Sequence, residues 1–228
     1  NSLNDFIDQK IDQLNRPNRP LPSKAVSPKY ALISSIILFV SGSISVLFLS
    51  VDAKIIAFFV VLPLIIVYNI KLKKLPLIGN AIISAILGLT FLFSGAVFGN
   101  MNKMLIPCFL AFGLTFVREI IKDIEDIAGD QLEGASTFPI IAGLNMAKNL
   151  TVILAILIGF GSLLPYFSGI YSLWYLIFLI LGVEIPLVML VVLIMKSPSK
   201  KTYSFLSKLL KVSIVFGIFA IYFGSIYE

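Results

Sequence analysis

The sequence predicts an all-α fold, a polytopic membrane bundle forming a single transmembrane domain over residues 1–228. Three observations predict it. Apolar residues make up 58% of the chain and charged ones 13%, with a mean hydropathy of +1.00, whereas a soluble domain is nearer half apolar and about a quarter charged. Apolar runs recur at 30–50, 55–70, 77–98, 104–121, 147–167, 173–195 and 203–227, each close to the roughly 20 residues that cross a bilayer. Most charged residues fall between these runs; Arg118, Glu119, Lys148, Glu184, Lys208 and Lys211 are the exceptions. In lipid each backbone group must be satisfied inside its own segment, so the runs are read as helices.

Taken in order, a polar opening segment precedes the first span. That span holds Ser41, Gly42 and Ser43, and the fifth holds Gly159 and Gly161; small residues of this kind let helices approach closely. The second span ends near Tyr68, and the basic segment YNIKLKKLPLIGN follows over 68–80. The fourth runs into REIIKDIEDIAGDQLEGAST at 118–137. The sixth carries Glu184 near its middle, two residues before Pro186. A carboxyl at that depth marks either a substrate or proton site or a hydrogen-bonded packing residue beside a proline break. The chain opens on Asn1 without an initiator methionine, which is read as a missing beginning.

The bases fix an orientation. Alternating spans put every Lys and Arg except Lys54 and Lys103 on one side, and the positive-inside rule assigns that side to the cytoplasm of a multi-pass cell-membrane protein. The net charge of +6 is dispersed among the spans and forms no soluble basic face, so no nucleic-acid partner is expected. The chain has no histidine and one cysteine, Cys108. A histidine-based triad, a thiolate zinc site and an intrachain disulfide are therefore excluded.

The acids are equally uneven. Glu119, Asp123, Glu125, Asp126, Asp130 and Glu133 lie in one short segment, and Asp5, Asp8 and Asp12 in NDFIDQKID over 4–12, leaving only Asp52, Glu184 and Glu228 of the twelve elsewhere. Asn4, Asp8 and Asp12 recur every four residues, as do Asp126 and Asp130; on a helix such steps drift only about 40°. Like charges so placed repel unless a cation sits between them. Oxygen donors alone select a hard ion, and Mg²⁺ binds through one or two carboxylates plus substrate phosphates. The two clusters, on one side of the membrane, thus point to a magnesium-bridged diphosphate rather than to solvated loops. A calcium loop does not fit DIEDIAGDQLEG, which has Ala128 where glycine is required and Gly134 where a glutamate belongs. Nearby bases suit phosphate: Arg16 and Arg19 among Pro17, Pro20 and Pro22, then Lys71, Lys73 and Lys74, and Arg118 and Lys122 one helical turn apart. Each lysine would equally serve as an interfacial anchor.

These segments resemble the two aspartate-rich motifs of the UbiA-type intramembrane prenyltransferases. The first is Asn4, Asp8 and Asp12 followed by Asn18, Arg19 and Pro20; the second is Asp126 and Asp130, with Asp123 as the additional acid of some branches. The segment from Tyr68 to Asn80 resembles the family's tyrosine and basic loop. Lys24 stands where glycine is common. The resemblance implies nine helices, so that the first helix and most of the second lie outside this sequence. It also implies that Asp8, Asp12, Asp126 and Asp130 hold Mg²⁺ and are catalytic. Asn4, Arg19, Tyr68, Lys73, Lys74, Arg118, Lys122 and Asp123 would bind the substrates. The implied partners are a prenyl diphosphate donor, a lipid-like glycerol phosphate acceptor and membrane lipid. An allylic diphosphate would ionise, its tail lying against Phe91, Phe93 and Phe116 or these rings simply packing helices. The glycerol hydroxyl would then attack, forming the second ether bond of archaeal lipids. An aromatic acceptor of the quinone, chlorophyll or haem type remains open. A cation-coupled transporter would carry its acids at mid-membrane in repeated halves, and a CDP-alcohol phosphatidyltransferase would show a DG and AR signature that is absent.

Overall fold

The computed structural model describes residues 2–7, 9, 12–13, 17–132, 134–196 and 198–226, and the side chains of 2–4 and 74 are not described. Asp8, and the side chains of Asn4 and Lys74, singled out above, thus lie outside the described residues. Every regular element among those described is helical. After α1 (Ser2–Ile7) come α2 (Pro28–Val46), α3 (Val51–Ile70), α4 (Ile78–Phe98), α5 (Leu105–Leu132), the short α6 (Phe138–Ala142), α7 (Leu144–Phe167), α8 (Leu173–Met195) and α9 (Lys200–Ile226). Seven of these are long and apolar enough to cross a membrane, and the protein is a multi-pass membrane protein.

Local chemistry sets the helix starts. Ser27 caps α2 by accepting from the Tyr30 amide, with Pro28 in the first turn where no amide is needed. Ser50 caps α3 through the Ala53 amide at 3.2 Å and donates its hydroxyl to the Ala96 carbonyl at 2.8 Å, pinning the start of α3 to the end of α4. Two spans contain a wide π-helical turn, Ile56–Val61 in α3 and Ile180–Glu184 in α8. Each lies just before a proline, Pro63 and Pro186. A proline ring clashes with the carbonyl four residues back and donates no hydrogen bond, and a π-turn absorbs both faults without ending the helix.

The core gathers around α5, which packs against α4, α7 and α9. Val117, Ile120, Ile121 and Ile124 of α5 meet Leu187 and Leu190 of α8 and Leu206 and Leu210 of α9 in one buried cluster. Close approach needs glycine at Gly88, where a Cβ would stand 2.7 Å from the Cys108 carbonyl oxygen across the α4–α5 contact. Elsewhere large apolar side chains such as Ile37, Leu38, Phe48, Phe59 and Leu181 face outward, as a lipid-facing surface requires.

One boundary differs from the sequence expectation. The fourth span was expected to close at residue 121, yet α5 continues through the acidic segment to Leu132. Ile124 prolongs the buried stripe while Glu119, Asp123, Asp126 and Asp130 share another face, so the helix stays amphipathic after its hydropathy has fallen. At 28 residues and 1.5 Å per residue it is roughly 42 Å long, more than the roughly 30 Å of hydrocarbon. Leu77, expected inside the third span, instead precedes it in the left-handed region at φ 57°. Successive spans alternate direction, which brings the opening segment, the 71–77 connection and the acidic end of α5 to one end of the bundle and leaves Lys54 and Lys103 at the other.

Candidate active site

The acidic end of α5 is a single face. At about 100° per residue, steps of four, three and four confine Glu119, Asp123, Asp126 and Asp130 to an arc of about 60°. Each is held differently. Glu119, only 8% exposed, takes Arg118 Nη1 on Oε1 and Lys122 Nζ on Oε2, the latter at 3.2 Å. Asp123 accepts from Asn80 Nδ2 at 2.8 Å across the α4–α5 contact. Asp126 and Asp130 are half-buried and engaged by neighbouring groups, as are Tyr68 and Lys73. Arg118 and Lys122, expected either to pair with acids or to reach a phosphate, therefore pair with Glu119.

The basic segment folds tightly against the start of α4. After exposed Lys71, a 3₁₀ turn at Leu72–Lys74 leads through Leu75 and Pro76 to Leu77. A Cβ on Gly79 would lie 2.9 Å from the Leu72 carbonyl oxygen, so the turn seats directly on the first turn of α4. Tyr68 is half-buried near the end of α3, one residue before buried Asn69.

In the opening segment Arg19 is a clamp. Its Nη1 donates to Asp12 Oδ2 at 2.6 Å and to Asp5 Oδ1 at 3.1 Å. Asp12 is 5% exposed. The connection after Arg19 is a compact turn with Ser23 N bonded to Arg19 O at 2.9 Å and Val26 N to Pro20 O at 3.0 Å. Lys24 has φ 62°, the left-handed conformation that explains a preference for glycine there. Arg19→Ala should leave two facing carboxylates, one of them buried, without the Arg19 counter-charge. A loss of about 1–3 kcal/mol is expected, read as a lower melting temperature in detergent. Arg19→Lys should restore only part of it, because the shorter lysine stem does not carry its nitrogen to the position of Nη1, and an unchanged melting temperature in Arg19→Ala would remove the clamp from the account.

Among the described residues no three acidic or cysteine side chains converge into a complete metal shell. The donor set nevertheless suits a hard cation: Asp126 and Asp130 lie one turn apart, the donors are oxygens, and Mg²⁺ takes few protein ligands when phosphate supplies the rest. Of the phenylalanines considered for a prenyl tail, Phe91 lines an apolar cleft with Leu110, Leu114, Ile158, Ile214 and Ile218. Phe116 stacks on Phe112 at 5.8 Å, and Phe93 packs around Ala53 and Ala96. Glu184 sits apart from the acidic face, its Oε1 accepting from Ser162 Oγ at 2.5 Å while Tyr175 donates to the Ser162 carbonyl at 2.6 Å. It is hydrogen-bonded between spans, one of the two roles its position allowed.

Sequence reasoning assigned no role to Asp5, Asn80 or Glu119. Glu119 carried a signal, being four residues before Asp123 and three before Lys122. Asn80 carried none, since its partner is 43 residues away.

Comparison with known proteins bears on this arrangement. A profile of the UbiA prenyltransferase family matches residues 1–221. A digeranylgeranylglyceryl phosphate synthase of Methanosphaera stadtmanae is 38% identical over 99% of this chain and 82% of its own. One from Thermococcus kodakarensis is 36% identical, over 99% and 80%. A solved structure, described as giving insights into the biosynthesis of digeranylgeranylglyceryl phosphate synthase in membranes, superposes with a TM-score of 0.73 and 33% identity over all of this chain and 80% of that one. A UbiA homologue from Archaeoglobus fulgidus bound to DMAPP and Mg²⁺ shares the fold at a TM-score of 0.54 and 14% identity, covering 97% of this chain and 82% of that one.

Proposed function

The chain belongs to the UbiA prenyltransferase family, and from that premise we propose that it transfers the geranylgeranyl group of geranylgeranyl diphosphate to the hydroxyl of geranylgeranylglyceryl phosphate. The product carries the second ether bond of an archaeal membrane lipid. The observation that carries this proposal is the acidic face of α5 beside a basic turn, at the end of the bundle that also holds the Asp12–Arg19 clamp. Relatives bearing the corresponding name align over about four-fifths of their own length.

In this scheme Asp126 and Asp130, with Asp8, would hold Mg²⁺, and Asp12 would join them by exchanging its contact with Arg19 for the ion. When bound, the ion supplies positive charge against the departing diphosphate. Lys73 and Lys74 neutralise the remaining phosphate charge from the turn before α4, with Lys122 and Arg118 close by on α5. Tyr68 and Arg19 position the donor. The allylic carbon–oxygen bond breaks, its electron pair leaving with the diphosphate. The glycerol oxygen forms the new carbon–oxygen bond and gives its proton to a carboxylate or to water. The prenyl tail would lie between helices beside the narrow apolar cleft that Phe91 lines, and would have to part those helices to enter it. The site faces the cytoplasm of the cell membrane, as the concentration of bases at that end implies.

The test uses the protein in detergent with geranylgeranyl diphosphate and Mg²⁺, offering geranylgeranylglyceryl phosphate and 4-hydroxybenzoate together. Magnesium-dependent product from the glycerol phosphate alone is expected. Product from the aromatic acid alone would keep the chemistry and replace the acceptor, and product from neither would overturn the proposal.

A further inference from the structure

The carboxylates on the α5 face differ in the charge of what holds them. Glu119 is flanked by two cations, Arg118 and Lys122, so its negative charge is spent within the protein. Asp123, one turn on, is held by a neutral donor, the Asn80 amide, at 2.8 Å. A neutral amide fixes the direction of a carboxylate without bringing an opposing charge of its own, as an ammonium or guanidinium in the same place would. Asn80 is itself rigidly placed. It is 6% exposed, its carbonyl accepts Ser84 Oγ at 2.6 Å, and it follows Gly79, whose added Cβ would stand 3.0 Å from Lys73 Cα. The same short stretch therefore grips the basic turn on one side and the acidic helix on the other.

We propose that Asn80 is a positioning residue that holds Asp123 in register with the Leu72–Lys74 turn, so that a magnesium diphosphate meets its carboxylates and its lysines at a fixed separation. The inference rests on the proposed transfer reaction. It goes beyond that reaction in giving Asp123 a dedicated neutral holder and in making the α4–α5 contact part of the site.

The test uses the full chain in detergent and two readouts, the Mg²⁺ concentration for half-maximal transfer and the rise in melting temperature caused by Mg²⁺ with inorganic pyrophosphate. Asn80→Ala is expected to raise the half-saturating Mg²⁺ about tenfold, in line with the loss of other groups that orient ligands, and to shrink the pyrophosphate-induced rise. The double variant Asn80→Asp with Asp123→Asn rebuilds a hydrogen bond between the helices but moves the charge to α4. It should recover the melting temperature of the free protein while its Mg²⁺ requirement stays raised. This variant decides the matter if Asn80→Ala does not fold. Normal Mg²⁺ dependence in Asn80→Ala, or recovery of both properties in the double variant, would reduce Asn80 to a structural contact and overturn the inference. A wild-type chain with neither magnesium-dependent transfer nor a pyrophosphate-induced shift would instead overturn the proposed reaction, and the inference with it.

Discussion

Asp130→Ala and Asp126→Ala should each lower turnover by about a hundredfold or more while the protein keeps its fold. Both side chains are half-buried on the exposed-end half of α5, where alanine is a better helix former than aspartate and the helix continues through the substitution. The buried stripe of Val117, Ile120, Ile121 and Ile124 lies on other faces and is untouched. Asp126→Asn removes only the charge and should behave like the alanine variant if cation binding is what matters. The measurements are initial rate over a range of Mg²⁺ concentration and the melting temperature of the purified protein. Turnover like that of the wild type in both alanine variants would remove these aspartates from the proposed metal site.

Glu119→Ala is expected to act on stability as well as rate. Its carboxylate is the shared partner of Arg118 and Lys122, and among the described residues Arg118 Nε is already buried without a hydrogen-bond partner. Truncation would leave two half-buried cations beside each other, at a cost of about 2–4 kcal/mol. Glu119→Gln keeps the shape and one acceptor, and should fall between the wild type and alanine. The measurement is thermal unfolding in detergent, with Arg118→Ala added to Glu119→Ala as a control that should recover part of the loss. If Glu119→Ala melts with the wild type, the trio is a solvated surface cluster and its cations are available to substrate.

How much of this was legible in the sequence depends on the range of the interaction. The spans were readable because hydropathy is local, and the Asp126–Asp130 pairing because one helical turn is a fixed number of residues. The continuation of α5 was not, since a hydropathy window sees the charges of Asp123, Glu125 and Asp126 and stops there. The alternation of those charges with Ile124 and Ile127 carries the helix on. Arg19 reads from the sequence as a phosphate ligand; its hold on Asp5 and Asp12 was not legible there, since it depends on how the Pro20–Val26 turn folds back. Asn80 was invisible for the same reason: its meaning comes only from the packing of α4 on α5. Lys24, by contrast, was noticed as a departure, and its positive φ supplies the reason.

The π-turn in α8 has a consequence for counting residues in this span. One extra residue in a helix shifts the phase of everything after it by about 100°. Across Ile180–Glu184 the Leu173–Leu179 half packs mainly on α9, whereas the Ile185–Met195 half is shared between α7 and α9. A helical wheel drawn through the whole span would superimpose two different stripes and misassign the lipid side. Removing one residue inside the π-turn would keep nearly the same hydropathy, yet rotate one half away from its neighbour and set the Pro186 ring against the carbonyl four residues back. The length of this span, and not only its composition, is thus part of what specifies the bundle.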